Sequence, residues 1–313
     1  MVAQRTPEWY DARRLGISST DLGCILGLNP FRSEAALARE KLGTPDEEQP
    51  DPKRDRAMRL GLSLESVVRL EEEIEHGIKL RRVNRLLTHP ELSWAVTSLD
   101  FVRVGEPTIV EAKTSRAGRW DDGLPQDVEA QTRWQMLVSG YRRVHVALLR
   151  SGSELQCFDV EHDDATAAGL VAIAEDFRRR LAEGGPFAEN AASVKARWPT
   201  DNGSEMVADA ETAEAVRTLV ATREQRKALE GQEDAIETAI KTRMADAATL
   251  IGSGYRITWR RTKDQTTTDW KLVADGLLRQ LPETEREALV GLHSMVRPGF
   301  RPFRIALDKE TTG

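Results

Sequence analysis

Between Thr97 and Ser115 the chain reads TSLDFVRVGEPTIVEAKTS, two stretches rich in β-branched residues joined by Gly-Glu-Pro. The first carries Asp100; the second carries Glu111 and Lys113 on either side of Ala112. Residues two apart in a strand face one side, so Glu111 and Lys113 project together and Ala112 faces the other way. A hairpin turning over 104–107 brings Asp100 near that pair. Three charged groups then meet in what is otherwise core strand, where an unpaired buried charge costs on the order of several kcal/mol. One compensation is a structural Asp–Lys or Glu–Lys ion pair. The other is a divalent cation: hard ions such as Mg²⁺ take oxygen ligands and keep waters, so two carboxylates and a backbone carbonyl make a cage. A lysine beside such an ion orients the attacking water or helps it lose a proton.

The elements that must hold these residues follow from periodicity. TPEWYDARR opens with a cap residue and a first-turn proline. SSTDLGCILG is a second short helix with a serine cap, closed by Gly27, and SEAALAREKLG a third, also closed by glycine. A charged, proline-containing linker spans 44–52, and helix returns from Lys53 to His76 with a kink or boundary at Gly61. The period then changes to that of strands in IKLRRV, RLLTH, WAVTSLDFVRV and TIVEAKT. DVEAQTRWQMLVSG is an amphipathic helix ending on Gly140, RVHVALLR and ELQCFDVE are strands, and ATAAGLVAIAEDFRRRLAEG is a helix. This order predicts an α+β, or mixed α/β, fold.

A soft boundary over 186–206 gives a domain at 1–190, a linker at 191–206 and a second region at 207–313. Within 207–247 Ile236, Ile240 and Met244 recur at helical spacing, Glu237 and Lys241 make an i,i+4 pair, and Gly231 predicts a split into a helical hairpin. YRITWRR and FRPFRIAL are expected as short strands around a last helix, 283–293.

Composition narrows the classes. Of 313 residues 40% are apolar and 31% charged, enough for a sizeable core under a polar surface. No run approaches the roughly 18 apolar residues of a membrane span, and the first residues lack an apolar leader. Cys24 and Cys157 are the two cysteines, which excludes a disulfide framework or a four-cysteine cluster and fits a reducing cytoplasm. The net charge of −6 argues mildly against a nucleic-acid partner, but the basic residues cluster at 79–85, 141–143, 178–180, 255–263 and 297–304, while acids gather at 45–51 and 71–75. A solvated face is the commoner use of any one such run. His76, His89, His145, His162 and His293 show no ligand spacing and are expected as ordinary surface or core residues. No Walker glycine loop occurs. Trp259 and Trp270, flanked by Arg260, Arg261 and Lys271, could stack on single-stranded bases, though packed core is the commoner fate of tryptophan.

Asp100 followed by Glu111-x-Lys113 resembles the core of the PD-(D/E)XK nucleases. EWYDARRLGISSTDLGCILGLNPF resembles the N-terminal signature of the YqaJ-like viral recombinases, the lambda-type phage exonucleases; GLSLESVV resembles their helix with an upstream metal-binding glutamate, and GRWDDGLPQDVEAQTRWQMLVSG the stretch after the lysine strand. The likeness covers about residues 5–160. It implies a restriction-endonuclease-like core with a helical C-terminal extension carrying short strands. It also implies site roles. Asp100 and Glu111 would hold metal with the Ala112 carbonyl, assisted by Glu65; Lys113 would position water; Gln131 would stand behind the site. Arg13 or Arg14, with Thr20, match positions that grip a 5′-terminal phosphate; arginine pairs bidentately with phosphate oxygens, and a hydroxyl at a helix start adds a donor. Leu99 stands where the motif's proline would be, and Thr20 where serine is usual.

The resemblance therefore implies a Mg²⁺-dependent deoxyribonuclease, with Mn²⁺ able to substitute, that digests linear double-stranded DNA 5′→3′ by two-metal hydrolysis and leaves 3′ tails for phage-type recombination. It also implies a ring-like homo-oligomer, a trimer in relatives, a single-strand annealing recombinase as partner, and the cytoplasm of an infected bacterial host. Two alternatives share the fold: a catalytically silent nucleic-acid-binding or assembly module, and a structure-specific endonuclease.

Overall fold

The computed structural model describes residues 3–4, 6–46, 51–115, 118–264, 266–296, 299 and 301–305, and they divide into two units, Met1–Pro199 and Thr200–Gly313. The first unit runs α1 (Pro7–Leu15), β1 (Ile17–Ser18), α2 (Asp21–Ile25), α3 (Glu34–Lys41), α4 (Pro52–Glu75), β2 (Leu80–Arg82), β3 (Leu86–Thr88), β4 (Ala95–Ser98), β5 (Phe101–Arg103), β6 (Thr108–Ser115), α5 (Gln126–Ser139), β7 (Arg143–Arg150), β8 (Glu154–Glu161), α6 (Asp164–Glu183) and α7 (Ala191–Arg197). Helix ends follow local chemistry. Thr6 caps α1 ahead of Pro7, Asp163 caps α6, and Gly140 ends α5 at φ +78°, a conformation costly to any residue with a Cβ.

Two sheets form. One is five-stranded in the order β2-β5-β6-β7-β8, antiparallel except for the parallel pair β6–β7, whose connection carries α5. The other has the order β1-β4-β3, with β1 parallel to β4. Strand alternation sorts the large sheet's two faces. Ile109, Val144, Val146, Leu148 and Val160 pack with Val128 and Met136 of α5; Val110, Ala147 and Leu149 pack with Val68 of α4 on the opposite face. Helix α5 also sends Trp134 and Val138 into the core shared by the small sheet, α2, α3 and α6. It is wedged between the two sheets, which places its residues 131 and 135 at their junction.

WAVTSLDFVRV is not one strand. It breaks at Leu99–Asp100, and its halves belong to different sheets. The break is marked by a tertiary contact, for the Asp100 side-chain Oδ2 accepts the Ala112 N–H at 3.0 Å. Helix α4 continues through Gly61 without interruption. Within the stretch expected as linker, α7 is helical and tied to the first unit, since the Ser33 N–H donates to Ser193 Oγ at 2.9 Å.

The second unit contains α8 (Ala210–Met244), the hairpin β9 (Thr249–Gly252) and β10 (Tyr255–Thr258), α9 (Trp270–Leu278) and α10 (Glu283–His293). Helix α8 passes through Gly231 unbroken, so the expected hairpin is a single 35-residue helix. One glycine costs roughly 1 kcal/mol in a helix, and the flanking Ala, Glu, Arg and Lys with pairs such as Lys241–Glu237 at 2.5 Å outweigh it. Helix α9 was not foreseen. Of the FRPFRIAL strand, residues 301–305 are irregular and the rest lies outside the described residues. Trp259 and Trp270 are 46% and 74% exposed, so neither is core.

Candidate active site

The β5–β6 register pairs Phe101 with Val110, so Asp100, one residue earlier, lies across from Glu111. Glu111 and Lys113 point to the α5 face of the sheet. There Lys113 Nζ donates to Glu111 Oε1 at 2.6 Å and to Gln131 Oε1 at 3.0 Å, and Gln131 Nε2 donates to Glu111 Oε1 at 2.6 Å. Gln135, one turn beyond Gln131, donates to the other oxygen, Glu111 Oε2, at 2.7 Å. Glu111 is 3% exposed, yet every oxygen has a donor.

A cavity of about 260 Å³ opens over these groups, lined by Asp100, Glu111, Ala112, Lys113, Gln131, Glu65, Arg13 and Thr20 together with Gln4, Trp9, Ser18, Ser19 and Ser98. It gathers the residues singled out in the sequence with one exception. Arg14 is not among the lining residues and pairs instead with Asp11 at 3.8 Å. Arg13 donates to Thr20 Oγ1 at 2.6 Å and Ser18 Oγ at 3.1 Å, and its guanidinium stacks 4.5 Å from the Trp9 ring centroid. Glu65 reaches the pocket from α4 and accepts from Arg82 Nη1 at 2.9 Å.

The arginine–hydroxyl group is held from behind. Lys41 Nζ donates to Arg13 O, Gly16 O and Asp21 Oδ2 at 2.6, 2.7 and 2.7 Å, using all three of its hydrogens. Asp21 Oδ2 also accepts the Ser18 N–H at 2.8 Å. The expected serine cap of this helix is replaced by Thr20 at the cap position with no side-chain cap bond, which leaves its hydroxyl to Arg13.

Charge crowding at the site is explicit. Burial raises the Asp100 carboxyl to about 8, the neighbouring Glu111 charge adds to the rise, and Lys113 only partly opposes it. Burial alone would draw the proton off Lys113, but Glu111 and Asp100 outweigh it and hold its pKa above the ordinary lysine value. The residues present fit a hard divalent cation. Asp100, Glu111 and Glu65 supply carboxylate oxygens around one pocket and Ala112 a carbonyl. A carboxylate oxygen that accepts one hydrogen bond keeps a second lone pair for an ion.

Sequence reasoning missed Gln135, Arg82, Gln4 and the Ser18 and Ser19 hydroxyls. For Gln135 the signal was available: it stands four residues after Gln131, on the same helix face.

The mixed five-stranded sheet carries Asp100 at a strand junction and Glu111-x-Lys113 on the next strand, with helices on both faces, the arrangement that the sequence resemblance to the PD-(D/E)XK nucleases implies. Residues 8–142 match the YqaJ-like viral recombinase domain. The protein YqaJ of Bacillus subtilis (strain 168), itself described as uncharacterized, is 29% identical over 267 residues, 81% of this chain and 82% of the relative. Among solved structures, an alkaline exonuclease from Laribacter hongkongensis is similar at 19% identity and TM-score 0.46, covering 57% of this chain and 94% of that one. A phage-related exonuclease from Haemophilus somnus 129PT is similar at 11% identity and TM-score 0.43, covering 56% and 98%.

Proposed function

We propose that the chain is a divalent-ion-dependent DNA exonuclease that works on linear duplexes from the 5′ end and leaves 3′ single-stranded tails. One observation carries the reading: an arginine with two hydroxyls, Arg13 with Ser18 and Thr20, lines the same pocket as the Asp100, Glu111 and Lys113 cluster. A group that grips a terminal phosphate next to a group that hydrolyses a phosphodiester makes an end-directed enzyme. The viral recombinase family supports DNA as the substrate class.

Asp100, Glu111, Glu65 and the Ala112 carbonyl would hold the ion, Mg²⁺ with Mn²⁺ able to replace it. When bound, it supplies Lewis-acid polarisation of the phosphodiester and acidifies a water. The chain's own residues do the rest. Lys113, held by Glu111 and Gln131, would serve as a donor that orients the nucleophile and offsets charge growing on the phosphate. Gln131 fixes Lys113, and Gln135 fixes Glu111. Water adds to phosphorus and gives one proton up to solvent, the bond to the 3′ oxygen breaks, and that oxygen takes a proton from solvent.

The test is a digestion time course on duplexes labelled at the 5′ or the 3′ end, with and without a 5′-phosphate, in Mg²⁺ and in EDTA. Stepwise release from the 5′ end, faster with the phosphate and absent in EDTA, is expected. DNA binding without cleavage in either Mg²⁺ or Mn²⁺ would refute the reading, and nicking of closed circles would move it to an endonuclease.

A further inference from the structure

On the face of the large sheet opposite the candidate active site, four side chains from three elements converge: Glu72 and His76 of α4 and its cap, His145 of β7, and Cys157 of β8. Their ligand-type atoms all lie within 4.8 Å of one another. We propose that these four residues form a second metal centre, a structural Zn²⁺ site that pins α4 to the β7–β8 hairpin.

The spacing suits the ion. A tetrahedral Zn²⁺ with bonds of about 2.0–2.3 Å sets its ligand atoms roughly 3.3–3.8 Å apart. His145 Nε2 lies 3.3 Å from Glu72 Oε1 and His76 Nδ1 3.4 Å from Glu72 Oε2, within that range, while Cys157 Sγ, which donates to Glu72 Oε1 at 3.1 Å, would move out by a few tenths of an ångström as the thiol gives its proton up to the ion. A thiolate, two imidazoles and a carboxylate are the softer, mixed donor set that selects zinc over magnesium. One thiolate and one carboxylate balance the charge of the ion.

A second observation points to a ligand independently. Glu72 is wholly buried, and its Oε2 forms no hydrogen bond despite its nearness to His76. A buried carboxylate oxygen that forms no hydrogen bond is costly, and a cation shared with His76 removes the cost. The outer contact is also in place: His145 Nδ1 lies 2.8 Å from Asp159 Oδ1, so the ring nitrogen not turned toward the cluster is oriented by a carboxylate. The exposed His76 ring leaves a path for entry. Helix α4 also carries Glu65, two turns before Glu72, so the clamp would fix the helix that reaches into the pocket on the other side.

The experiment uses the full chain, metal-stripped and titrated with Co²⁺ in the presence of excess Mg²⁺. A thiolate-to-cobalt absorption in the near ultraviolet reports a cysteine and not the Asp100 pocket, which has no sulfur among its lining residues, and the Cys157→Ser variant separates Cys157 from the buried Cys24. The expected result is one saturating equivalent, displaced by Zn²⁺, unchanged in Asp100→Ala and lost in Cys157→Ser. The exposed positions give variants that keep the fold: Asp159→Asn loosens Zn²⁺ roughly 10–100-fold, as outer contacts do, and His76→Ala by more. Absence of the band in the wild type, or its persistence in Cys157→Ser, overturns the proposal, as does Zn²⁺ affinity unchanged in both His76→Ala and Asp159→Asn.

Discussion

Gln135 Nε2 donates to Glu111 Oε2 at 2.7 Å from a side chain with no solvent exposure. It fixes the oxygen of Glu111 that Lys113 and Gln131 leave alone. Hydrogen bonds to charged groups are worth about 1.5–3 kcal/mol. Gln135→Ala is therefore expected to lower kcat about 10–100-fold with DNA binding little changed. Gln135→Glu, which sets a second carboxylate against Glu111, should cost more. Single-turnover cleavage beside a binding isotherm separates the two effects.

Arg13 and Arg14 are neighbours in sequence with different surroundings. Arg13→Ala should reduce the preference for 5′-phosphorylated over 5′-hydroxyl ends by about 10–100-fold, the worth of a charge-assisted contact. Arg14→Ala, whose partner is Asp11 outside the pocket, should leave that preference intact. Initial rates on the two substrates decide it, and equal losses in both variants would remove Arg13 from the phosphate grip.

Asp21 and Lys41 form an ion pair whose side chains are 5% and 4% exposed. Burial pushes the Asp21 carboxyl up, but Lys41, Arg13 and the Ser18 N–H outweigh it and hold it below the usual aspartate value. A depressed carboxylate contributes stability that is fully present above the unfolded-chain pKa of about 3.9 and is lost as the pH falls through the folded value. Asp21→Asn strands the buried ammonium and should cost about 3–5 kcal/mol near neutrality. It should also flatten the acid limb of stability below about pH 4. Urea midpoints over a pH series measure both.

Gly16 stands where α1 meets β1, and a Cβ there would come within 2.8 Å of Trp94 O and 3.0 Å of Val96 Cγ2. The backbone carbonyl cannot yield without moving β4. Gly16→Ala should cost about 1–3 kcal/mol, as overpacking does, read as a lower Tm. Because the Gly16 carbonyl also accepts from Lys41, the variant should raise KM for phosphorylated ends as well.

Much of the site is legible in sequence because it depends on short-range rules. The two-residue strand period puts Glu111 beside Lys113, and the Gly-Glu-Pro turn returns the chain to Asp100. The rest depends on tertiary packing. WAVTSLDFVRV is apolar on both sides of Asp100, and nothing local marks the point where one sheet hands over to the other. His76 and His145 lie 69 positions apart and meet only because α4 crosses β7, so spacing rules dismissed both. Gly231 shows the opposite case: its weak helix propensity predicts a break, but the strong helix formers around it carry α8 through.

The handover at Leu99–Asp100 has a further meaning under the proposed reading. The hydroxyls that would hold a strand's terminus lie at the end of β1 and just past it in the small sheet, whereas the carboxylate and lysine that would sever it ride on β6 in the large one. Two residues of main chain join β4 to β5, so they act as a gauge between anchor and blade. The length of the fragment cut away on each cycle is then a property of the backbone at one bend, and lengthening that bend by a residue should change the size of the product before it changes the chemistry.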